Sequence, residues 1–130
     1  MVQAFLELTL PKSEWTHHAH LRVGLWHVLR HSEEEAVNLL RTRIRAYNEA
    51  TGVANTPTGG YHETITRFYV LIIRGFLRNV DAARPLDDLA AELIATRGEK
   101  ELPLRYYSKE LLFSPHARAN WVEPDLAPIS

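Results

Sequence analysis

The chain has 130 residues, of which 45% are hydrophobic and 24% are charged, a composition typical of one globular domain and not of a disordered or fibrous protein. Its 15 Lys and Arg residues nearly balance its 16 Asp and Glu residues, so no positive field favours binding to nucleic acid or to an anionic membrane. Cysteine is absent, which excludes disulfides, thiolate metal sites and cysteine nucleophiles. We therefore predict a single domain over residues 1–130 that binds neither nucleic acid nor membrane.

Three features of the sequence predict a cytoplasmic location. The longest aliphatic run covers only residues 70–73, far fewer than the ~20 residues that a membrane-spanning helix needs. The first residues have no basic flank and include Glu7, so they do not resemble a secretory signal. The lack of cysteine fits the reducing conditions of the cytoplasm.

The start of the chain predicts a short lead-in followed by a helix. Residues 2–10 alternate only partly between apolar and polar side chains and are followed by Pro11. This pattern favours an extended or irregular segment packed on the body of the protein. Ser13 or Thr16 can then cap a first helix that runs to about Arg30.

A capping box marks the start of the second predicted helix. Ser32 is followed three residues later by Glu35, and apolar residues then recur at helical spacing over about 33–49. The segment 51–60 is rich in Gly, Pro, Thr and Asn and cannot continue a helix. It predicts a loop between the second and third helices.

Two further helices and a tail complete the predicted fold. From Tyr61 to Phe76 the apolar residues form one helical stripe, and charged residues gather on the opposite side. A shorter amphipathic pattern over 86–96 is closed by Gly98, and a cap at 114–115 begins one or two helical turns in the tail. These elements predict an all-α fold, a small up-down bundle of about four helices wrapped by the tail.

The clustering of histidine is the main indication of function. Five of the seven histidines lie in the first predicted helix or at its end; all seven occupy positions 17, 18, 20, 27, 31, 62 and 116. On a helical wheel His17 and His20 point to one place, whereas His18 lies on the more polar side. His27, further along, is expected to be structural or exposed. His62 falls inside the apolar arc of the third helix, where it must find a buried partner or face a cavity.

The predicted topology brings three of these histidines together. An up-down bundle places the starts of the first and third helices at the same end, where His17, His20 and His62 would meet. Three imidazoles without a thiolate suit a divalent transition metal such as Zn, Fe, Ni, Cu or Mn, with positions left for water or a small-molecule substrate. The alternatives are a hydrogen-bonded histidine cluster without metal and scattered surface histidines.

Three further residues are candidates for a catalytic role at that end of the bundle. Tyr47 and Asn48 lie at the end of the second predicted helix, and the 51–60 loop would cover the site as a lid. Glu63 lies in the first turn of the third helix. Its alternatives are a catalytic base, a metal ligand and an i to i+4 ion-pair partner of Arg67.

Two weaker patterns concern a ligand and a partner. Gly59 and Gly60 precede a helix and could offer backbone N–H groups to an anionic substrate, although a plain flexible turn is the better explanation. Ala19, Val23 and Trp26 form a second apolar patch on the first helix. The tail or a second subunit could cover this patch, which leaves room for a homodimer.

Three segments resemble those of a family of short, uncharacterised bacterial proteins. They are 15–21 (WTHHAHL), 60–66 (GYHETIT) and 121–126 (WVEPDL). The resemblance covers most of the chain and implies that the chain is a complete protein. It implies no activity or cofactor, and no functional residue is carried over from it.

These patterns together predict a small helical-bundle metalloprotein. It would be an enzyme that acts on a small polar or anionic molecule at a histidine-ligated metal with open coordination positions. The alternative is a non-catalytic binding or interaction module whose histidines form a buried hydrogen-bond network. Metal content distinguishes the two hypotheses, since only the first predicts a stoichiometric bound ion.

Overall fold

The computed structural model describes residues 1–129 and consists of helices and their connections over that range, which confirms the predicted all-α class. In chain order the α-helices are α1 Val2–Leu6, α2 His17–Arg30, α3 Glu33–Ala50, α4 Glu63–Leu77, α5 Leu86–Arg97, α6 Lys109–Leu112 and α7 Pro115–Ala119. Single turns of 3-10 helix lie at Lys12–Glu14 and Leu102–Arg105. None of the helices within residues 1–129 has both the length and the apolar character needed to cross a bilayer.

Side-chain caps set the starts of α2 and α3 where the sequence predicts them. The Thr16 hydroxyl accepts the N–H of Ala19 at 3.2 Å, so Thr16 and not Ser13 caps α2. Ser32 and Glu35 form both hydrogen bonds of the capping box, at 3.2 and 3.1 Å. Such caps satisfy backbone donors that have no partner within the helix, which stabilises a helix start by about 1 kcal/mol.

The N-terminal lead-in begins with helix α1, so the prediction of an extended or irregular segment is wrong for Val2–Leu6, while residues 7–11 are irregular. Helix α1 buries Val2 and Phe5. The Phe5 ring stacks on Trp15 with 4.6 Å between ring centroids and packs on Tyr47 at 5.4 Å. A helix of this length has little stability by itself. Tertiary packing of Phe5, which no local pattern encodes, therefore selects the helical conformation.

The four long helices share one apolar core. Helix α4 packs against α2 and α3, and α5 packs against α2. Side chains from all four meet in this core, among them Val23, Leu25, Leu40, Val70, Ile73 and Leu93. The apolar patch of Ala19, Val23 and Trp26 is thus largely buried within the chain, with Val23 only 1% exposed. It no longer indicates a second subunit.

The C-terminal segment packs on α4 and builds a second, smaller apolar cluster around Phe68 and Tyr107. Helix α7 packs against α4, where the Thr64 hydroxyl donates to the Asn120 carbonyl at 2.7 Å. The Tyr107 hydroxyl donates to the Val122 carbonyl at 2.7 Å and holds the tail in place. The tail therefore lies against the helices, and it brings α6 close to the start of α4.

Candidate functional site

Both ring nitrogens of His62 are used in structural hydrogen bonds. His62 is buried and caps α4, where its Nδ1 accepts the Ile65 N–H at 3.1 Å. Its Nε2 donates to the Leu112 carbonyl at 2.7 Å. Burial lowers the pKa of His62 and favours the neutral ring, which offers the required one donor and one acceptor. Because His62 is the cap, α4 begins at Glu63 and not at the predicted Tyr61.

The three predicted metal ligands are not assembled into one site. His20 is exposed, stacks on Trp15 with 3.7 Å between ring centroids and donates from Nδ1 to the Thr16 carbonyl at 2.7 Å. His17 keeps a buried Nε2 without a hydrogen-bond partner. Within residues 1–129 there is no group of three or more His, Cys, Asp or Glu side chains that could hold a metal ion. The capping role of His62 explains why it does not join His17 and His20.

Tyr47 and Asn48, predicted as catalytic, have structural partners. Tyr47 is fully buried, and its hydroxyl donates to the Leu10 carbonyl at 2.8 Å. Asn48 donates to the side-chain oxygen of Asn55 at 3.0 Å, and the same oxygen accepts the Tyr61 N–H at 3.0 Å. Asn48 therefore shapes the 51–60 loop through Asn55, and Tyr47 ties α3 to the N-terminal segment.

Glu63 is held in a partly buried ion pair across two helices. Its carboxylate accepts two hydrogen bonds from Arg41, at 2.8 and 2.6 Å, and one from the Tyr61 hydroxyl at 2.8 Å. Burial raises the pKa of Glu63, but the hydrogen bonds from Arg41 and Tyr61 outweigh it and the net pKa is lowered. The alternative ion pair with Arg67 is wrong, because Arg67 binds Glu33 at 3.1 Å. The occupied carboxylate is thus poorly placed to accept a substrate proton.

A largely apolar cavity of about 270 Å³ lies between α2, α3 and α4. We call it the inner cavity; it is lined by His17, His20, Leu21, Gly24, Leu40, Ile44, Ile65, Thr66, Tyr69, Val70, Ile73 and Lys100. Gly24 lets α2 approach α4, since a Cβ there would lie 3.0 Å from Cδ1 of Ile73. This volume lies near the lower end of the range for ligand pockets, which suits a small molecule.

Two buried polar atoms, on residues that line the inner cavity, have no hydrogen-bond partner. They are Nε2 of His17 and the hydroxyl of Tyr69, and both are shielded from water. The two rings pack edge to face, with 5.9 Å between centroids. Leaving a buried polar atom unpaired costs about 1–3 kcal/mol. Such atoms are uncommon in folded proteins, and they often mark a place where a ligand or a water molecule binds.

Both polar groups are neutral near pH 7. Burial lowers the pKa of His17, and repulsion from His18 acts in the same direction, while the nearby backbone of Gly98 opposes the shift. Burial raises the pKa of Tyr69, and the nearby carboxylates of Glu99 and Glu101 add to the shift. The cavity therefore offers an uncharged imidazole and an uncharged phenol, each able to form a hydrogen bond with a ligand.

The sequence prediction includes His17 and His20 in this wall but misses Tyr69 and Lys100. The signal for Tyr69 is a hydroxyl within the apolar arc of α4, the same anomaly that singles out His62 on the same helix. Lys100 carries no such signal, because it is an exposed residue among other charged residues just after α5. Only the folded chain brings it next to α2.

Similarity to known proteins gives no guide to the role of this cavity. No protein-family model matches the chain, and neither a curated protein nor a solved structure matches it. The chemistry of the cavity itself, an apolar chamber with two unpaired polar atoms in its wall, therefore has to indicate the function.

Proposed function

We propose that the protein binds a small, mainly apolar molecule in the inner cavity, with one polar group of that molecule between His17 and Tyr69. The observation that carries the proposal is the pair of buried, unpaired polar atoms on two residues of a largely apolar wall. Ligand pockets in proteins commonly combine an apolar lining with a few polar groups that orient the ligand. The protein then belongs to the non-catalytic binding class.

Two energetic terms would favour such a complex. An apolar ligand body leaves water for a chamber lined by aliphatic side chains such as Ile44, Val70 and Ile73, which contributes about 25 cal/mol for each Å² buried. A ligand donor or acceptor near His17 and Tyr69 would also satisfy atoms that are unpaired in the free protein.

The predicted metal-dependent enzyme is not part of this proposal, because His62 is committed to the cap of α4 and leaves only two of the three predicted ligands near the cavity. The predicted up-down order of the four long helices is retained in the proposal. It is supported by His17 and Ile65, which come from the starts of α2 and α4 and line the same cavity. Under that order, the two helix starts form its mouth.

A matched pair of histidine variants tests the proposal. We expect the apolar fluorophore N-phenylnaphthylamine to bind the wild-type protein saturably at one site, because its aromatic rings suit the chamber and its N–H can meet a polar wall atom. His17→Phe keeps a ring and removes the ring nitrogens, so affinity should fall about threefold to tenfold, the effect of one hydrogen bond. Fluorescence titration measures both quantities.

The control is His18→Phe, because His18 is the exposed neighbour of His17 and does not line the inner cavity. This variant should bind the fluorophore as the wild type does. The proposal is wrong if the wild type shows no saturable binding, or if the two substitutions weaken binding equally.

A further inference from the structure

A second, largely apolar cavity, of about 360 Å³, shares part of its wall with the inner cavity, including both His17 and Tyr69. We call it the outer cavity. It shares His17, Ile65, Tyr69 and Lys100 with the inner cavity, and its other lining residues are Glu101, Pro103, Leu104, Leu112 and Phe113. His17 and Tyr69, which carry the two unpaired atoms, therefore line two largely apolar cavities and not one.

One wall of the outer cavity is an apolar side chain that the protein leaves exposed. Phe113 is 55% exposed, one of four large hydrophobic side chains in residues 1–129 that lie open to water. Of these four, only Phe113 lines either cavity. When a ligand covers an exposed aromatic ring beside an apolar cavity, apolar surface leaves water, and this change favours binding.

The charged residues that line the two cavities are one lysine and one glutamate. Lys100 lines both cavities, and Glu101 lines the outer one. Glu99 is engaged by Arg105 in an ion pair of 2.7 Å. The site therefore has no net charge that would select a carboxylate or an amine, and it favours an uncharged polar group.

We infer that the ligand is an elongated, uncharged molecule with two apolar arms joined at a central hydroxyl or carbonyl group. One arm occupies the inner cavity, the other lies in the outer cavity against Phe113, and the central group meets His17 and Tyr69. A mid-chain alcohol, a ketone or an ester of a lipid-like compound has this form. The inference rests on the proposed function, because it describes the ligand of the same site.

Two alcohols that differ by one arm provide the test. Competition with N-phenylnaphthylamine gives the affinity of n-hexanol, which has one pentyl arm on its carbinol carbon, and of dipentylcarbinol, which has two. Dipentylcarbinol should bind the wild type at least about tenfold more tightly, because its second arm buries apolar surface. Phe113→Ser should remove most of this difference by weakening dipentylcarbinol alone.

The matched control is Leu126→Ser, because Leu126 is 59% exposed, similar to Phe113, and lines neither cavity. It should leave both affinities unchanged. Equal affinities of the two alcohols for the wild type, or a Phe113→Ser variant that keeps the full difference, would overturn the two-arm inference while the proposed function stands. If neither the fluorophore nor either alcohol binds the wild type, the proposed function fails and the inference fails with it.

Discussion

Acidification from about pH 7 to about pH 4 should destabilise the protein by about 3 kcal/mol through His27 alone. His27 is fully buried, its Nδ1 donates to the Val23 carbonyl at 2.7 Å, and its Nε2 accepts from Arg43 at 2.8 Å. Burial lowers the pKa of His27 from 6.5 to about 4, and the charge of Arg43 adds to this effect. Protonation would add an N–H donor at Nε2 of His27, where it would face the N–H donors of the Arg43 guanidinium.

The sign follows from the lowered pKa of the folded state. Well above pH 6.5 the His27 ring is neutral in both the folded and the unfolded chain, so its full contribution to stability is present. As the pH falls through 6.5 towards about 4, the unfolded chain binds the proton first, and the free energy of unfolding decreases. Urea denaturation at several pH values measures this decrease.

Two variants distinguish the contribution of His27 to the acid response from the contributions of other titrating groups. His27→Gln should be less stable than the wild type near neutral pH, and between pH 6.5 and 4 its free energy of unfolding should fall less than that of the wild type. The fall that remains comes from other groups, such as His17 and His62, whose pKa values burial also lowers. His31→Gln, which changes a histidine that is not fully buried, should keep the wild-type pH dependence. An unchanged acid response in His27→Gln would show that another group controls it.

Loss of Arg41 should destabilise the protein more than loss of the Glu63 charge. Arg41→Met leaves a carboxylate whose side chain is only 10% exposed without its cation, and we expect a loss of about 3 kcal/mol. Glu63→Gln leaves the Arg41 side chain, which is 38% exposed and can be solvated, so the expected loss is about 1–2 kcal/mol. Chemical denaturation of both variants gives the two values.

The control for this ion pair is Arg67→Met. Arg67 pairs with Glu33 at 3.1 Å, and both side chains are about one-third exposed, at 35% and 33%. Solvent screening makes such a pair weak, so the expected loss is under about 1 kcal/mol. Equal losses in Arg41→Met and Arg67→Met would mean that the buried position of Glu63 has no special energetic role.

The features that sequence predicts well are those with local causes. The capping box of Ser32 and Glu35 and the cap at Thr16 depend on residues three apart, and the structure confirms each of them. The apolar stripe of α4 likewise depends on spacing within one helix. By contrast, α1 depends on the contact of Phe5 with Tyr47, which is more than forty residues away, so its helical form could not be predicted.

The candidate site shows the same difference between local features, which the sequence predicts, and long-range contacts, which it does not. The sequence predicts that His62 needs a buried partner, but not that the partner is the carbonyl of Leu112, fifty residues further along the chain. Glu63 has a local candidate in Arg67, yet the packing of α3 against α4 offers it Arg41 instead. A helical wheel shows that a polar residue lies in an apolar arc. It does not show which backbone group or which neighbouring helix will form a hydrogen bond or ion pair with that residue.

The hydroxyl of Tyr69 gives the most direct test of ligand binding in the inner cavity. Tyr69→Phe removes a buried polar atom that has no partner in the free protein, so the ligand-free variant should be more stable by about 1 kcal/mol. The same change removes a hydrogen bond to the ligand, so affinity for N-phenylnaphthylamine should fall about threefold to tenfold. Stability and affinity should thus change in opposite directions.

Tyr107→Phe is the control, because the Tyr107 hydroxyl has a partner in the Val122 carbonyl and lies outside the inner cavity. It should lose about 1 kcal/mol of stability and bind the fluorophore as the wild type does.

The decisive measurement is the free energy of unfolding and the fluorophore affinity of Tyr69→Phe, each compared with the wild type. We expect a gain in stability with a loss of affinity, and a loss of stability with unchanged affinity would contradict ligand binding at this hydroxyl.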